Sequence, residues 1–321
     1  MRASWHGAAW RPPARPARAT FAAVEALASL GRALRDAGYA FVTPTPETHR
    51  RVLARGGDAR TLRDVFGWSK PFGEGVVPRA MLSLLEQAGA LERLGAKMRS
   101  AVRFSSLGPL LLAHSAYPTT AADAVFLGPD TYRFASFLEA RAPARIGALA
   151  DVGCGTGAGG LLLAPRCASV RLLDVNRNAL SFARANCAIN GLSAQVAFSV
   201  SDVLSAVDEP LDVVIANPPY LADEAGRAYR DGGGELGTGL SLRIAGEALD
   251  RLRPGGRLLL YTATPVIDGE HLLAAGLTRV LRGIPYEYRE LDPDVFGEEL
   301  EKPAYAHVER IAVVGLTLVK P

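Results

Sequence analysis

The chain has 321 residues, 49% of them hydrophobic and 21% charged, which excludes a disordered polymer and leaves room for two domains. Its 36 basic and 33 acidic side chains leave a net charge of +3, too small a surplus to argue for a nucleic-acid partner by itself. Lysine occurs only at Lys70, Lys97, Lys302 and Lys320; the other cations are arginines, which fork onto phosphate or carboxylate but also accompany the Ala- and Gly-rich composition of a GC-rich genome.

Residues 1–19 (MRASWHGAAWRPPARPARA) carry arginine and proline without the apolar core of a signal peptide. They read as a flexible tail, with a nucleic-acid-binding arm as the alternative. From Phe21 to Tyr39 apolar residues recur at helical spacing up to a glycine stop, and shorter helices are expected over Pro46–Ala54, Ala59–Phe66 and Arg79–Ala88. The following ALERLGAKMRSAVRFSSLGPLLLAHS reads as two strands around turns. Helices followed by a hairpin suggest a winged-helix unit over residues 20–120, suited to DNA binding, homodimerisation or substrate contact. Cys154, Cys167 and Cys187 have neither metal-ligand spacing nor a disulfide framework, which suits a reducing cytoplasm. No apolar run approaches the ~20 residues of a membrane span.

After SAYPTT, strand-like and helical segments alternate: ALADVG and a helix through Ala164, VRLLDV and a helix over Ala179–Asn190, AQVAFSVSD, LDVVIANPPY, a helix over Ser241–Arg253, GGRLLLYTAT, a helix near Gly269–Ala275, and strands near Tyr286–Leu291 and Ile311–Val319. This alternation predicts an α/β, Rossmann-like, mostly parallel sheet over residues 121–321, behind a smaller, mainly helical N-terminal domain. Ligands of such sheets bind at the carboxyl ends of the strands.

The polar motifs fall at those ends. In DVGCGTGAGG, Gly153, Gly155 and Gly157 allow a tight turn and close approach of a ligand, and Asp151 ahead of them suits an ammonium or sulfonium group better than a pyrophosphate. The spacing Gly153, Gly155, Ala158 also satisfies the dinucleotide fingerprint, so a NAD(P) oxidoreductase stays open. Asp174 ends the second strand, where a carboxylate accepts both hydroxyls of a ribose; Asn176 beside it belongs to the same expected cofactor set, and a helix cap is the alternative for this stretch. Asp202 ends the third strand, with an adenine amine as its expected donor and Val203 expected against the ring; capping explains Asp202 nearly as well. Asn217 closes the fourth strand and leads into Pro218, Pro219 and Tyr220. Pro129, Asp130 and Thr131 are expected either to flank an acceptor pocket or to cap a helix. The five histidines are scattered, and EELEKPAYAHVER reads as a solvated linker.

Taken together, residues 150–320 resemble the class I S-adenosylmethionine-dependent methyltransferases, and NPPY resembles the signature of those that methylate planar nitrogen. VFLGPDTYRFASFLEA and DGGGELGTGLSLRIAGEALDRLRPGG resemble the segments flanking these motifs in the release-factor glutamine methyltransferases. The resemblance implies S-adenosylmethionine as cofactor, a seven-stranded sheet, and a macromolecular acceptor: a protein such as a release factor or ribosomal protein. The alternative acceptor is an RNA or DNA base, whose exocyclic amine is also planar. Such nitrogens are weak nucleophiles. Asn217 is expected to accept one N–H through its side-chain oxygen, and the Pro218 carbonyl the other. The two prolines stiffen these acceptors, and the Tyr220 ring stacks on the acceptor plane. A strand stop is the simpler reading of Pro-Pro, and a non-catalytic DNA-binding regulator remains a further class.

Overall fold

The computed structural model describes residues 20–192, 195–222 and 231–321; the expectation of a flexible tail over residues 1–19 falls outside them. Helix α1 (Phe21–Asp36) begins at Thr20, whose hydroxyl accepts from Ala23 N at 3.1 Å, and buries Leu27, Leu30 and Leu34. Then come α2 (Pro46–Ala54), capped by Thr45, α3 (Leu62–Phe66), opened by a Thr61–Asp64 capping box, and α4 (Arg79–Gln87). The expected pair of strands is instead four, in two antiparallel hairpins: β1 (Leu91–Leu94) with β2 (Lys97–Ser100), and β3 (Val102–Leu107) with β4 (Leu110–Ser115). Ser100 causes the break. Its hydroxyl donates to Val102 O at 2.6 Å and accepts from Val102 N at 3.2 Å, diverting the chain between β2 and β3.

The second half alternates as expected. In order come α5 (Pro129–Arg141), β5 (Ile146–Val152), α6 (Ala158–Leu163), β6 (Cys167–Asp174), α7 (Arg177–Ile189), β7 (Val196–Val200) and β8 (Leu211–Ala216). They are followed by α8 (Gly239–Arg251), β9 (Leu252–Ile267), the two-residue β10 (Glu270–His271), α9 (Leu272–Leu281), β11 (Tyr286–Asp292) and β12 (Arg310–Val319). The sheet order is β11-β12-β9-β8-β5-β6-β7, with β10 paired to β9. β12 runs antiparallel to both its neighbours, so β11 points the same way as β9 and the other parallel strands. One apolar cluster, with Leu149, Ile215 and Leu259, lies on one side of the sheet, and another, with Val214, Leu258 and Ile244, on the other. Each such fully buried side chain contributes roughly 1.5–3 kcal/mol.

The N-terminal unit is packed tightly onto α7. Ala179, Phe182, Ala185 and Ile189 of α7 join Leu27, Leu30, Leu34 and Phe104 in one core. Gly31 permits this, since a Cβ there would come within 2.4 Å of Ile189. Asn186, fully buried, accepts from Ala113 N at 2.6 Å and donates to Ala113 O at 3.0 Å and Thr156 O at 2.9 Å. This single amide ties β4 to the glycine loop. No helix among the described residues is long and apolar enough to cross a membrane.

Candidate active site

Strand register sets the predicted residues side by side. Val152 pairs with Leu173 on one flank and Ala216 on the other, and Asp174 pairs with Val200. The carboxyl tips of β5, β6, β7 and β8 are therefore level, and Gly153, Asp174 and Asn217 each sit at or just past a tip.

Gly153, Gly155 and Gly157 have φ of 67°, 53° and 80°. A Cβ on Gly153 or Gly155 would meet nothing within 4 Å, whereas one on Gly157 would come 3.1 Å from Leu172. The first two thus leave bare backbone open to a ligand, and the third lets the loop settle on β6. Asp174 accepts from Gly155 N at 2.9 Å through one oxygen and from Asn176 N at 2.8 Å through the other. Each oxygen keeps a further lone pair, matching the needs of two neighbouring hydroxyls. Burial raises its carboxyl to about 6. Asp151, 2% exposed, accepts from Gly160 N at 2.8 Å, and burial raises it to about 7. A bound cation would offset the cost of ionising both groups, so the open glycine cradle with its two flanking carboxylates fits an adenosyl group bearing ammonium and sulfonium charges.

Three residues are placed differently from expectation. Asn176 is spent on structure: its side-chain oxygen accepts from Asn178 N at 2.9 Å, capping α7, and its amide donates to Asp123 O at 2.9 Å. Asp202 is held by Arg243 of α8 at 2.8 Å, so an adenine amine would share it with that guanidinium. Val203 is 4% exposed and belongs with Leu204, Val207 and Val214 to the apolar cluster on one side of the sheet. The sequence pattern registers strand ends but not which way a side chain turns there.

On the other side, Asn217 is half-buried, and no described residue hydrogen-bonds its side chain. Pro218 is buried. Tyr220, 7% exposed, donates its hydroxyl to Asp130, which also accepts from Tyr261 at 3.2 Å. Asp130 lies 3.3 Å from Arg133, which reaches Asp292 at 3.0 Å. Thr131 has the capping role considered for it, accepting from Gly128 N at 3.3 Å, while Asp130 anchors NPPY. Burial, with the Asp130 charge second, holds the Tyr220 phenol neutral, well above its ordinary range.

The glycine-rich stretch presses on the same backbone. A Cβ on Gly237 (φ 84°) would lie 2.3 Å from Tyr220 O, and one on Gly232 would lie 2.7 Å from Pro219 O. The expected solvated linker over EELEKPAYAHVER is instead packed against the site: Tyr305 is 1% and Glu299 2% exposed. Ala222 N donates to the Tyr305 hydroxyl at 2.8 Å, and the Phe296 ring lies 5.9 Å from the Tyr220 ring. Its polar composition hid one aromatic anchor, Tyr305, and a second, Phe296, lies just ahead of it. His49 and His114 are buried in the N-terminal unit, away from this edge; His49 bonds Arg103 at 3.0 Å and Trp68 O at 2.9 Å.

Residues 131–280 match the family described as Methyltransferase small domain. Among curated relatives, a release factor glutamine methyltransferase of Koribacter versatilis is 36% identical over 42% of this chain and 55% of its own length. One from Deinococcus radiodurans is 38% identical over 46% and 54%. A ribosomal RNA small subunit methyltransferase C of Sodalis glossinidius is 42% identical over 23% of this chain and 21% of its own length. The chain thus spans about half the length of the first two relatives. The family match spans the glycine loop, Asp174 and the NPPY region, and it favours a methyl donor over a nicotinamide as the partner of the glycine loop. Residues 131–280 are thus similar to a methyltransferase small domain, and the chain resembles the release factor glutamine methyltransferases over about half of their length.

Proposed function

We propose that this protein transfers a methyl group to a planar nitrogen of a macromolecule, the side-chain amide of a protein glutamine. The observation that carries the reading is Asn217: its side chain is bonded to no described residue, and the pairing of Val152 with Ala216 sets Asn217 level with Gly153 at the tip of the adjoining strand. S-adenosylmethionine, when bound, supplies a methyl group on a cationic sulfur that leaves as a neutral thioether. Gly153 and Gly155 would leave it room along the loop backbone, and Asp174 would accept its ribose hydroxyls. Asn217 and the Pro218 carbonyl accept the two N–H groups of the acceptor, which orients the nitrogen lone pair. Asp130 and Gly237 keep Tyr220 and its backbone from shifting. Orientation of this kind is worth up to about 7–11 kcal/mol in well-aligned reactants, and acceptors aimed at the positive charge that develops on nitrogen add to it. The proton leaves afterwards to water.

A second reading, a nucleobase amine as acceptor, is favoured by one observation. Residues 20–120 carry 13 basic and 8 acidic side chains, whereas residues 121–321 carry 19 and 25. The test is incubation with labelled S-adenosylmethionine and either a glutamine-containing peptide or an adenine-containing oligoribonucleotide, with mass spectrometry locating the label. Methyl on the glutamine amide nitrogen is expected. Binding of NADH without binding of adenosylhomocysteine would overturn the reading.

A further inference from the structure

The reversal of β12 dictates where the chain between β11 and β12 must lie. β11 runs parallel to β9 and so ends at the edge where Asp151, Asp174 and Asn217 sit; β12 starts there. Residues 293–309 join them, far more than a hairpin needs. The connection is pinned at both ends and in the middle. Arg310 donates to Pro293 O at 2.7 Å, Val295 N donates to Ile311 O at 2.9 Å, and Tyr305 accepts from Ala222 N, two residues after Tyr220. Lys302 meets Glu299 at 2.5 Å, closing the turn between the two anchors.

Within this frame Phe296 adopts φ 56°, a left-handed conformation unfavourable for a residue with a Cβ and retained where surroundings demand it. Its ring is tilted 58° to the Tyr220 ring, yet the residue stays half-exposed. The ring thus packs on Tyr220, of the same Asn217–Tyr220 stretch, while part of the residue stays open to solvent.

We propose that residues 293–309 form the acceptor-reading element, with Phe296 the specificity-determining residue that makes the second aromatic wall beside Tyr220. This rests on the methyl-transfer reading for the chemistry but not for binding. The same element decides the class of acceptor. From Pro293 to Glu309 it carries five acidic side chains against one lysine. Asp294, Glu298 and Glu301 are exposed, and no described cation pairs with them. A polyanionic strand entering between Tyr220 and Phe296 would meet this charge at close range, whereas a peptide with lysine or arginine beside its glutamine would be drawn in. The basic N-terminal unit does not offset this, because the contacts to Tyr220 and Ala222 come from the acidic element.

The test measures binding of two glutamine peptides, one flanked by lysines and one by glutamates, and of an adenine-containing oligoribonucleotide, to the full chain saturated with adenosylhomocysteine. The lysine-flanked peptide is expected to bind tightest. Phe296→Ala weakens it about tenfold with adenosylhomocysteine affinity unchanged, and Phe296→Leu restores most of the loss. Glu298→Lys with Glu301→Lys removes the preference between the two peptides. Tighter binding of the oligoribonucleotide, or unchanged peptide binding in Phe296→Ala, overturns the proposal. Peptide binding of this pattern without any methyl transfer would fell the methyl-transfer reading and leave the acceptor-reading element standing.

Discussion

On the side proposed for the donor, residues 151–203 supply a glycine loop with open backbone at Gly153 and Gly155 and carboxylates at or near three successive strand ends. On the acceptor side, Asp130, Asn217–Tyr220, Gly232–Gly237 and Phe296–Tyr305 arrive from four separate stretches, and side chains carry the contacts. The difference teaches that the donor pocket comes with the fold, since parallel strands align their own tips. The acceptor pocket has to be assembled by specific tertiary contacts, each of which can be removed alone.

Removing acceptor contacts should therefore leave the donor in place. Asn217→Ala has the largest expected effect, a fall in kcat of roughly 100- to 1,000-fold, the usual consequence of deleting one oriented hydrogen-bonding group. Adenosylhomocysteine affinity measured by calorimetry should stay within twofold; parallel loss of both would erase the division between the sides. Gly237→Ala drives a Cβ toward Tyr220 O at a left-handed position and should cost roughly 2–4 kcal/mol of stability. A depressed Tm in thermal melts checks this, and an unchanged Tm would show that the loop does not bear on NPPY.

Asp130→Asn keeps one acceptor oxygen for two phenols. Methyl transfer should drop about tenfold, mainly through acceptor KM, and Tyr220→Phe should drop by a similar factor because it breaks the same bond. If Asp130→Asn changed donor affinity instead, Asp130 would belong to the other side. The smallest effect is that of pH on the donor side. With folded values of about 7 for Asp151 and about 6 for Asp174 against an ordinary 3.8, these groups favour the folded state fully below pH 3.8, and that contribution fades as pH rises through 6 and 7. A cationic ligand prefers them ionised. The Tm gain produced by S-adenosylmethionine should therefore grow several-fold between pH 5 and pH 8, and Asp151→Asn should flatten the trend.

The same contrast explains what the sequence revealed. Gly153, Asp174 and Asn217 were legible because each ends an apolar run, and alternation of strands and helices locates such ends without knowledge of the third dimension. The turn of Val203 into the core, the use of Asn176 as a cap and the capture of Asp202 by Arg243 depend on neighbours 40 or more residues away or on local rotamers, which periodicity does not encode. Asp130 was visible only as one member of Pro129-Asp130-Thr131, because its partners Tyr220 and Tyr261 lie 90 and 131 residues along the chain. The segment around Glu299 and Tyr305 misled by its charge: a mostly polar stretch is ordinarily solvated, and here Tyr305 and Phe296 hold it down. In the N-terminal unit the helices were clear from spacing, but the split of one hairpin into two rested on a single hydroxyl, that of Ser100.

The antiparallel course of β12 also makes the molecule modular. Because the segment between β11 and β12 leaves the sheet at the working edge and rejoins it there, its length and composition can be exchanged without altering any strand that holds the donor. With the acceptor-reading role proposed above, a graft of this segment from a relative that works on another target would carry target choice with it as a cassette.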